Sequence, residues 1–432
     1  MDDDLRPFEP DGDRPWNRAT AAHLLQRIGF APAAEEVDRA VAEGVRATVD
    51  RIVDASHDSP AHDELDALGE RLAGRNDINA LRGWWLLRMC RTERPLHARL
   101  SAFWHNHFAT SNQKVNSAKL MYEQLRILES HAVGKFEDML LAIARDPAMI
   151  IWLDGNDNLK GRPNENFARE LFELFGLGVG NYTERDIKEA ARAFTGWHQR
   201  DGRFRFFPLE HDEGEKEVFG RRGNFNGEEI IRLVIEHDAC ARFISTKLLR
   251  EVLCPDPPST LVEALAARLR KSDYDIRETL RTLFASAAMF DPRWRSARIK
   301  SPVEYVIGMS RSLGIEVPAS SLAEAVSGMG QRLFEPPSVK GWDGHRAWLN
   351  STTMLVRLNA ATAAAERAAP ILAQRGFNSA NEARQFCIDL CLDGALPESL
   401  HSIVNAIEGA TMNETIQRTL EAILAAPEYQ MA

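Results

Sequence analysis

Apolar residues recur at helical spacing along almost the whole chain, and this period constrains the fold more than any other feature. Ala21, Leu24, Leu25 and Ile28 mark one face of a first helix, which Gly29 stops. The same pattern covers residues 32–41, 45–54, 78–91, 95–108 and 117–131. It resumes at 226–237, 239–252, 259–271, 275–287, 302–313, 320–333 and 351–368, with three more helical segments beyond about residue 378. An amphipathic helix must bury its apolar stripe, and a chain made of such helices buries them against one another. At 432 residues the chain is long enough to do so without disulfide or metal staples. The β signal is confined to one place. Arg203–Phe207 and Glu217–Phe219 flank the turn-rich stretch His211–Glu215, which predicts an irregular hairpin inserted near 203–220. Residues 1–16 are acidic and carry Pro7 and Pro10, which predicts a flexible or surface-draped N-terminal arm. The expected architecture is therefore mainly α: a multi-helical single large domain over 17–432 with a small inserted β-hairpin.

Composition removes several functional classes. No run of about 18 apolar residues exists, so no membrane span is expected. The formal net charge is −10 and the positive charges are mostly arginine, 43 against 10 lysines. A general nucleic-acid binder is usually basic, so no nucleic-acid partner is expected. Five scattered cysteines without a Cys-x-x-Cys pair argue against a disulfide framework or a thiolate zinc site. Met1-Asp2-Asp3-Asp4 has neither the basic nor the apolar region of an export signal, which predicts a cytoplasmic protein.

Residues of chemical interest fall in five strings. In Phe103-Trp104-His105-Asn106-His107-Phe108, two histidines flank an asparagine at a helix end. Residues two apart on a helix lie about 200° apart, so both rings reach one metal only if the helix frays. In the alternative, one ring caps the helix and the other packs under Trp104. The second string runs from Pro163 to Phe175. On a helical projection Asn166, Glu170 and Glu173 share one stripe beside Arg169, with Glu165 in the first turn. It lacks a Glu-x-x-His partner, which disfavours a ferritin-like di-iron site. In the third string, Thr183 caps a helix that ends near Thr195. The pair of helices resembles a helix-turn-helix unit only superficially, because the second lacks residues that read bases. His211-Asp212 sits in the hairpin turn, where it serves either turn chemistry or a site. The loop 335–350 carries Trp342 and Trp348, which either wall a pocket or plug the core.

Taken in order, these strings resemble the bacterial domain of unknown function family 1800. Its matching segments include Ala22–Phe30, the Phe-Trp-His-Asn-His-Phe run, Arg145–Met149, Asn164–Glu173, Ala191–Trp197, His211-Asp212, Lys300–Glu304 and Pro336–Trp348. They span roughly residues 17–430. The resemblance implies a largely helical domain and a frequent genomic companion, the sulfatase-like family 1501. It implies no reaction. Many relatives carry export signals, and none is read here.

Two functions follow as expectations. The first is a metal-assisted hydrolase or oxidoreductase. His105, Glu165 and Asp212 would be catalytic, His107, Glu170 and His211 would hold a divalent metal, and Trp342 and Trp348 would wall the substrate. A histidine-and-carboxylate set suits zinc, iron or manganese. The second is a non-catalytic scaffold or partner subunit for the family 1501 protein, with the tryptophan loop and arginine-rich faces as docking surfaces.

Overall fold

Short polar residues open many of the helices. Asn17, Asp77, Ser117, Asp146, Thr183, Asn226, Asp275, Ser301, Asn350 and Thr411 each accept a hydrogen bond from a backbone N–H of the first turn. These bonds satisfy donors that would otherwise be orphaned at the helix start. In the computed structural model, which describes residues 5–55, 60–392 and 396–432, the chain is mainly α. Among the described residues there are 23 α-helices and two small two-stranded sheets.

The helices bury two large apolar clusters. The first draws on residues 8–53, 96–108, 128–153, 168–197, 218 and 230–290, with Phe108, Phe136, Phe172 and Phe175 fully buried in it. The second gathers Trp84, Trp85, Met121, Tyr305, Phe334 and the helices from Ser351 to Gln430. Helix Pro95–His107 lies on the seam. Its Leu96, Leu100 and Trp104 belong to the first cluster, while Ala98 and Ala102 pack on the second. The seam is tied by charge. Arg99, on this helix, donates to Glu304 (2.6 Å) and to the carbonyl of Gly29 (2.7 Å), and Arg298 donates to Glu304 at 3.0 Å. Burial alone would raise the Glu304 carboxyl, but Arg298 and Arg99 outweigh it and hold the group well below the usual carboxylate range.

The β structure differs from the expected single hairpin. Arg203–Phe206 (β2) pairs backwards with Trp197–Arg200 (β1), not forwards across His211–Glu215. A second hairpin joins Lys216–Val218 (β3) to Arg221–Gly223 (β4). The cause is turn chemistry. Asp201-Gly202 and Phe219-Gly220 both place two consecutive residues at positive φ (54° and 71°; 49° and 73°), the geometry that closes a two-residue hairpin.

At the N-terminus, residues 5–16 are docked. Phe8 is buried and stacks on Phe290 at 4.1 Å, its N–H donates to Ala285 O, and Trp16 Nε1 donates to Ala40 O. Residues 1–4 of the expected arm lie outside the described residues.

One buried acid stands apart. Asp146 caps helix Pro147–Trp152, accepting from the Met149 N–H at 2.9 Å, and lies 2.6 Å from the Gln124 side-chain amide. No charged partner offsets its burial, and the nearest titratable influence is Glu123; its carboxyl is pushed up to about 7. Both of these bonds end on Oδ2, which accepts from the Gln124 Nε2 and the Met149 N–H, whereas Oδ1 accepts nothing among the described residues. A proton on Oδ1 leaves both bonds to Oδ2 intact and removes the cost of a buried, uncompensated charge. Because the folded-state value lies above the ordinary one, this stabilisation is complete below about pH 4 and is lost as pH rises through about 7. Asp146→Asn is expected to flatten the pH dependence of Tm between pH 5.5 and 8.5, whereas the wild-type Tm falls over that window. Parallel Tm profiles for the two proteins would discard the protonated buried acid.

Candidate functional site

Helix Pro95–His107 starts on Pro95, whose ring presets the first turn, and ends where Phe108 leaves helical geometry. The helix does not fray within the motif, so its two histidines point to opposite sides, as a 200° separation requires. His105 faces the second cluster. Its Nε2 accepts the Phe334 N–H at 3.0 Å, and its ring meets Trp85, Phe334 and Trp342 at 5.2–5.8 Å. Burial pushes it down to about 3, so the ring is neutral with its proton on Nδ1. His107 faces the first cluster, boxed by Phe103, Trp104, Phe108, Phe136, Phe175 and Phe243. Its Nε2 lies 3.0 Å from the Phe175 carbonyl, and burial followed by the nearby Lys247 charge keeps it neutral.

Between them, Asn106 performs a role that the sequence reading did not assign. Its Oδ1 accepts the Trp342 N–H at 2.7 Å, and its Nδ2 donates to the Trp342 carbonyl at 3.4 Å. One amide thus holds both backbone polar groups of the loop residue. Gly341, at φ +83°, lies so close that a side chain there would collide with Asn106. The two tryptophans are inside: Trp342 is 8% exposed and Trp348 7%, and they form a small apolar cluster with Ile299.

The second string is not one regular helix. Asn166–Glu170 is α-helical, but Leu171–Gly176 widens into a π-helix. Gly176 allows the tight approach of Val234 from helix Gly227–Glu236. The carbonyls of its last turn find side-chain donors: Phe175 O meets His107, and Leu174 O accepts from Lys247 Nζ at 3.4 Å. Burial pushes the Lys247 ammonium down to about 8. Glu165 pairs with Arg169 at 3.1 Å, and Arg169 also grips Glu184 at 2.8 Å. Glu173 accepts from the Tyr182 hydroxyl at 3.1 Å. Glu170 is half-buried, accepts no hydrogen bond from the described residues, and is raised above the ordinary glutamate range by burial and by Glu173.

His211-Asp212 belongs to the hairpins. His211 Nδ1 lies 2.9 Å from Thr195 O and its ring meets Phe206. Asp212 receives a two-pronged Arg192 guanidinium at 2.8 and 3.2 Å and the Gly214 N–H at 2.8 Å, and Arg192 pulls it down to about 2. The buried Lys216 ammonium closes the same turn on Asp212 O and Gly214 O.

Each expected metal ligand therefore has its own surroundings: His107 an aromatic box, His211 a backbone carbonyl, Glu170 a half-exposed helix face. Among the described residues no three His, Cys, Asp or Glu side chains are arranged to hold a metal ion. As placed, the three nominated ligands do not converge on one divalent ion. Of the expected catalytic set, His105 and Asp212 are engaged in bonds that position backbone, and Glu165 is ion-paired to Arg169.

The model of the family described as "Protein of unknown function (DUF1800)" matches residues 23–431, and the chain belongs to that family. No curated protein and no solved structure matches the chain.

Asn106→Ala should release the 335–350 loop. It removes both partners of Trp342 and leaves a buried backbone N–H unmet, an expected loss of about 2 kcal/mol. Limited proteolysis should then cut within 335–350 before any other site. Unchanged stability together with an unchanged digestion pattern would remove the clamp from the account.

Proposed function

We propose that this member of the DUF1800 family acts as a non-catalytic partner subunit, docking on another protein through its first hairpin. The supporting observation is the surface that hairpin presents. Phe206 is 47% exposed and Leu209, in the turn Pro208–Glu210 just past β2, 96%; beside them Arg200, Arg203 and Arg205 stand exposed without an ion pair among the described residues. Exposed apolar side chains rimmed by arginine resemble the residues that dominate protein interfaces. Of the residues nominated for a site, His105, His107, His211 and Asp212 are, by contrast, bonded within the fold. The family resemblance makes the sulfatase-like family 1501 companion the partner to test. Isothermal titration of the purified chain with the companion from the same genome is expected to give saturable one-to-one binding. An absence of heat and of co-elution at micromolar concentrations would end this reading.

A second reading, a hydrolase using general acid–base chemistry, has one observation in its favour. Glu170 is a half-buried carboxyl raised above the ordinary range, on the stripe that the sequence marks out. Glu170→Gln should then abolish any turnover of a chromogenic ester or glycoside panel while leaving helical circular dichroism intact. Wild-type turnover that persists in the variant would exclude Glu170.

A further inference from the structure

The first hairpin is asymmetric between its two edges and its two faces. β1 is covered: the Gln199 N–H donates to Asn156 Oδ1 at 2.9 Å, and His198 is held between Gly155 O and Glu210. β2 is open. Arg200 and Arg203 flank a two-residue turn, so Arg203 and Arg205 exchange bonds with β1 and the polar backbone groups of Phe204 and Phe206 point outwards. Among the described residues no backbone group of Arg203–Phe206 bonds to anything beyond β1.

The register also sorts the side chains. Trp197, Gln199, Phe204 and Phe206 share one face, which leaves Phe206 at its exposed end and meets the body at Trp197 and Phe204; there Phe204 packs edge-on to Trp197 at 5.2 Å under the Arg145 guanidinium. Arg200, Arg203 and Arg205 share the other face with His198. Lys160 and Arg162, also exposed and unpaired, lie alongside, because the Lys160 N–H donates to Glu210 O at 2.9 Å. Unpaired cations and an open strand edge thus coincide on a chain of net charge −10.

We infer that the β2 edge accepts an extended segment of a partner protein, with carboxylates on alternate residues and apolar side chains between them. This names the partner chemistry of the docking reading above and rests on it. The argument follows from the period of a strand. A strand added to β2 turns every second side chain towards the Arg203–Arg205 face, where carboxylates match planar guanidiniums, and the others towards Phe204 and Phe206. A second copy of this chain fits poorly, since β2 against β2 would set arginines opposite arginines. Arginine can also guard an edge against all pairing. Guarding alone does not account for Phe206 and Leu209 left in solvent on the same segment.

The test uses the full chain and a fluorescein-labelled octapeptide alternating Glu and Val, read by fluorescence anisotropy. Binding is expected to weaken with added salt. It should fall at least about ten-fold in the double variant Arg203→Glu/Arg205→Glu, which should instead bind a Lys–Val octapeptide. N-methylation of alternate peptide amides should abolish binding, and hydrogen exchange should slow at Phe204 and Phe206. Circular dichroism of the double variant confirms that it folds. Equal affinity of wild type and double variant overturns the inference, as does insensitivity to N-methylation. Tighter binding to phosphatidylglycerol vesicles or to a single-stranded oligonucleotide than to the Glu–Val peptide also overturns it, as does dimerisation of the chain through β2. Companion binding that survives the double substitution sinks this edge and leaves the partner reading intact. Peptide binding without companion binding does the reverse.

Discussion

The contact between Arg99, Glu304 and Arg298 holds together what would otherwise be two separate helical cores. Glu304 opens helix Pro302–Ser312 of the second cluster, while Arg99 sits on the seam helix and Arg298 reaches back towards Arg250 and Glu251 of the first. All three side chains are almost fully removed from water. Such a network adds little net stability over a well-packed apolar alternative, because desolvating each ion is costly. Its leverage is that it cannot be half made. Any arrangement of the two clusters that misplaces Glu304 leaves two buried guanidiniums sharing Glu251 alone, and breaking a buried pair in this way costs about 3–5 kcal/mol. Backbone carbonyls of Gly29, Glu251 and Arg250 take further N–H groups of the two arginines, so segments far apart in sequence meet at one point.

The same seam explains why two histidines beside one asparagine do not make a catalytic centre. A straight helix sends residues two apart to opposite sides, and here the opposite sides are the two cores. His105 satisfies the backbone of Phe334 within one, and His107 satisfies Phe175 within the other. Asn106, between them, faces the rim of the seam and fastens Trp342 over it. Each polar group buys the placement of a distant loop or helix end, and imidazole serves because it can be buried neutral. The π-helix belongs to this arrangement, since its wide turn brings Phe175 O to His107 and Leu174 O to Lys247.

Helices were legible because their signals are local: a capping residue, a period of 3.6 and a terminating glycine within one segment. Residues 78–91, for instance, need nothing from outside to be read, and Ile78–Arg91 is the helix observed. What escaped depends on partners remote in sequence. The π widening after Glu170 is invisible to an amphipathic plot that suits an α-helix equally well. Asp212 reads as a free carboxylate until Arg192, twenty residues earlier, is seen to hold it. The hairpin departs from expectation for a different reason. Two turn signals compete within fifteen residues, and the short Asp201-Gly202 closes the hairpin while the longer polar run 211–215 does not.

That run has another use. His211, Asp212, Gly214 and Lys216 bond with Thr195 and Arg192 and among themselves, which fixes the second hairpin to helix Glu184–Ala193. The acidic and basic groups there neutralise one another. On β1–β2 they do not: guanidiniums project on one face while aromatic rings anchor the other. No ion pair of Arg200, Arg203 or Arg205 among the described residues fixes this hairpin. Its rigidity comes from Phe204 and Trp197, so the arginines are free to act outwards without cost to the fold. Structure and charge are separable at this hairpin in a way they are not at the seam, where removing a charge removes the packing it organises.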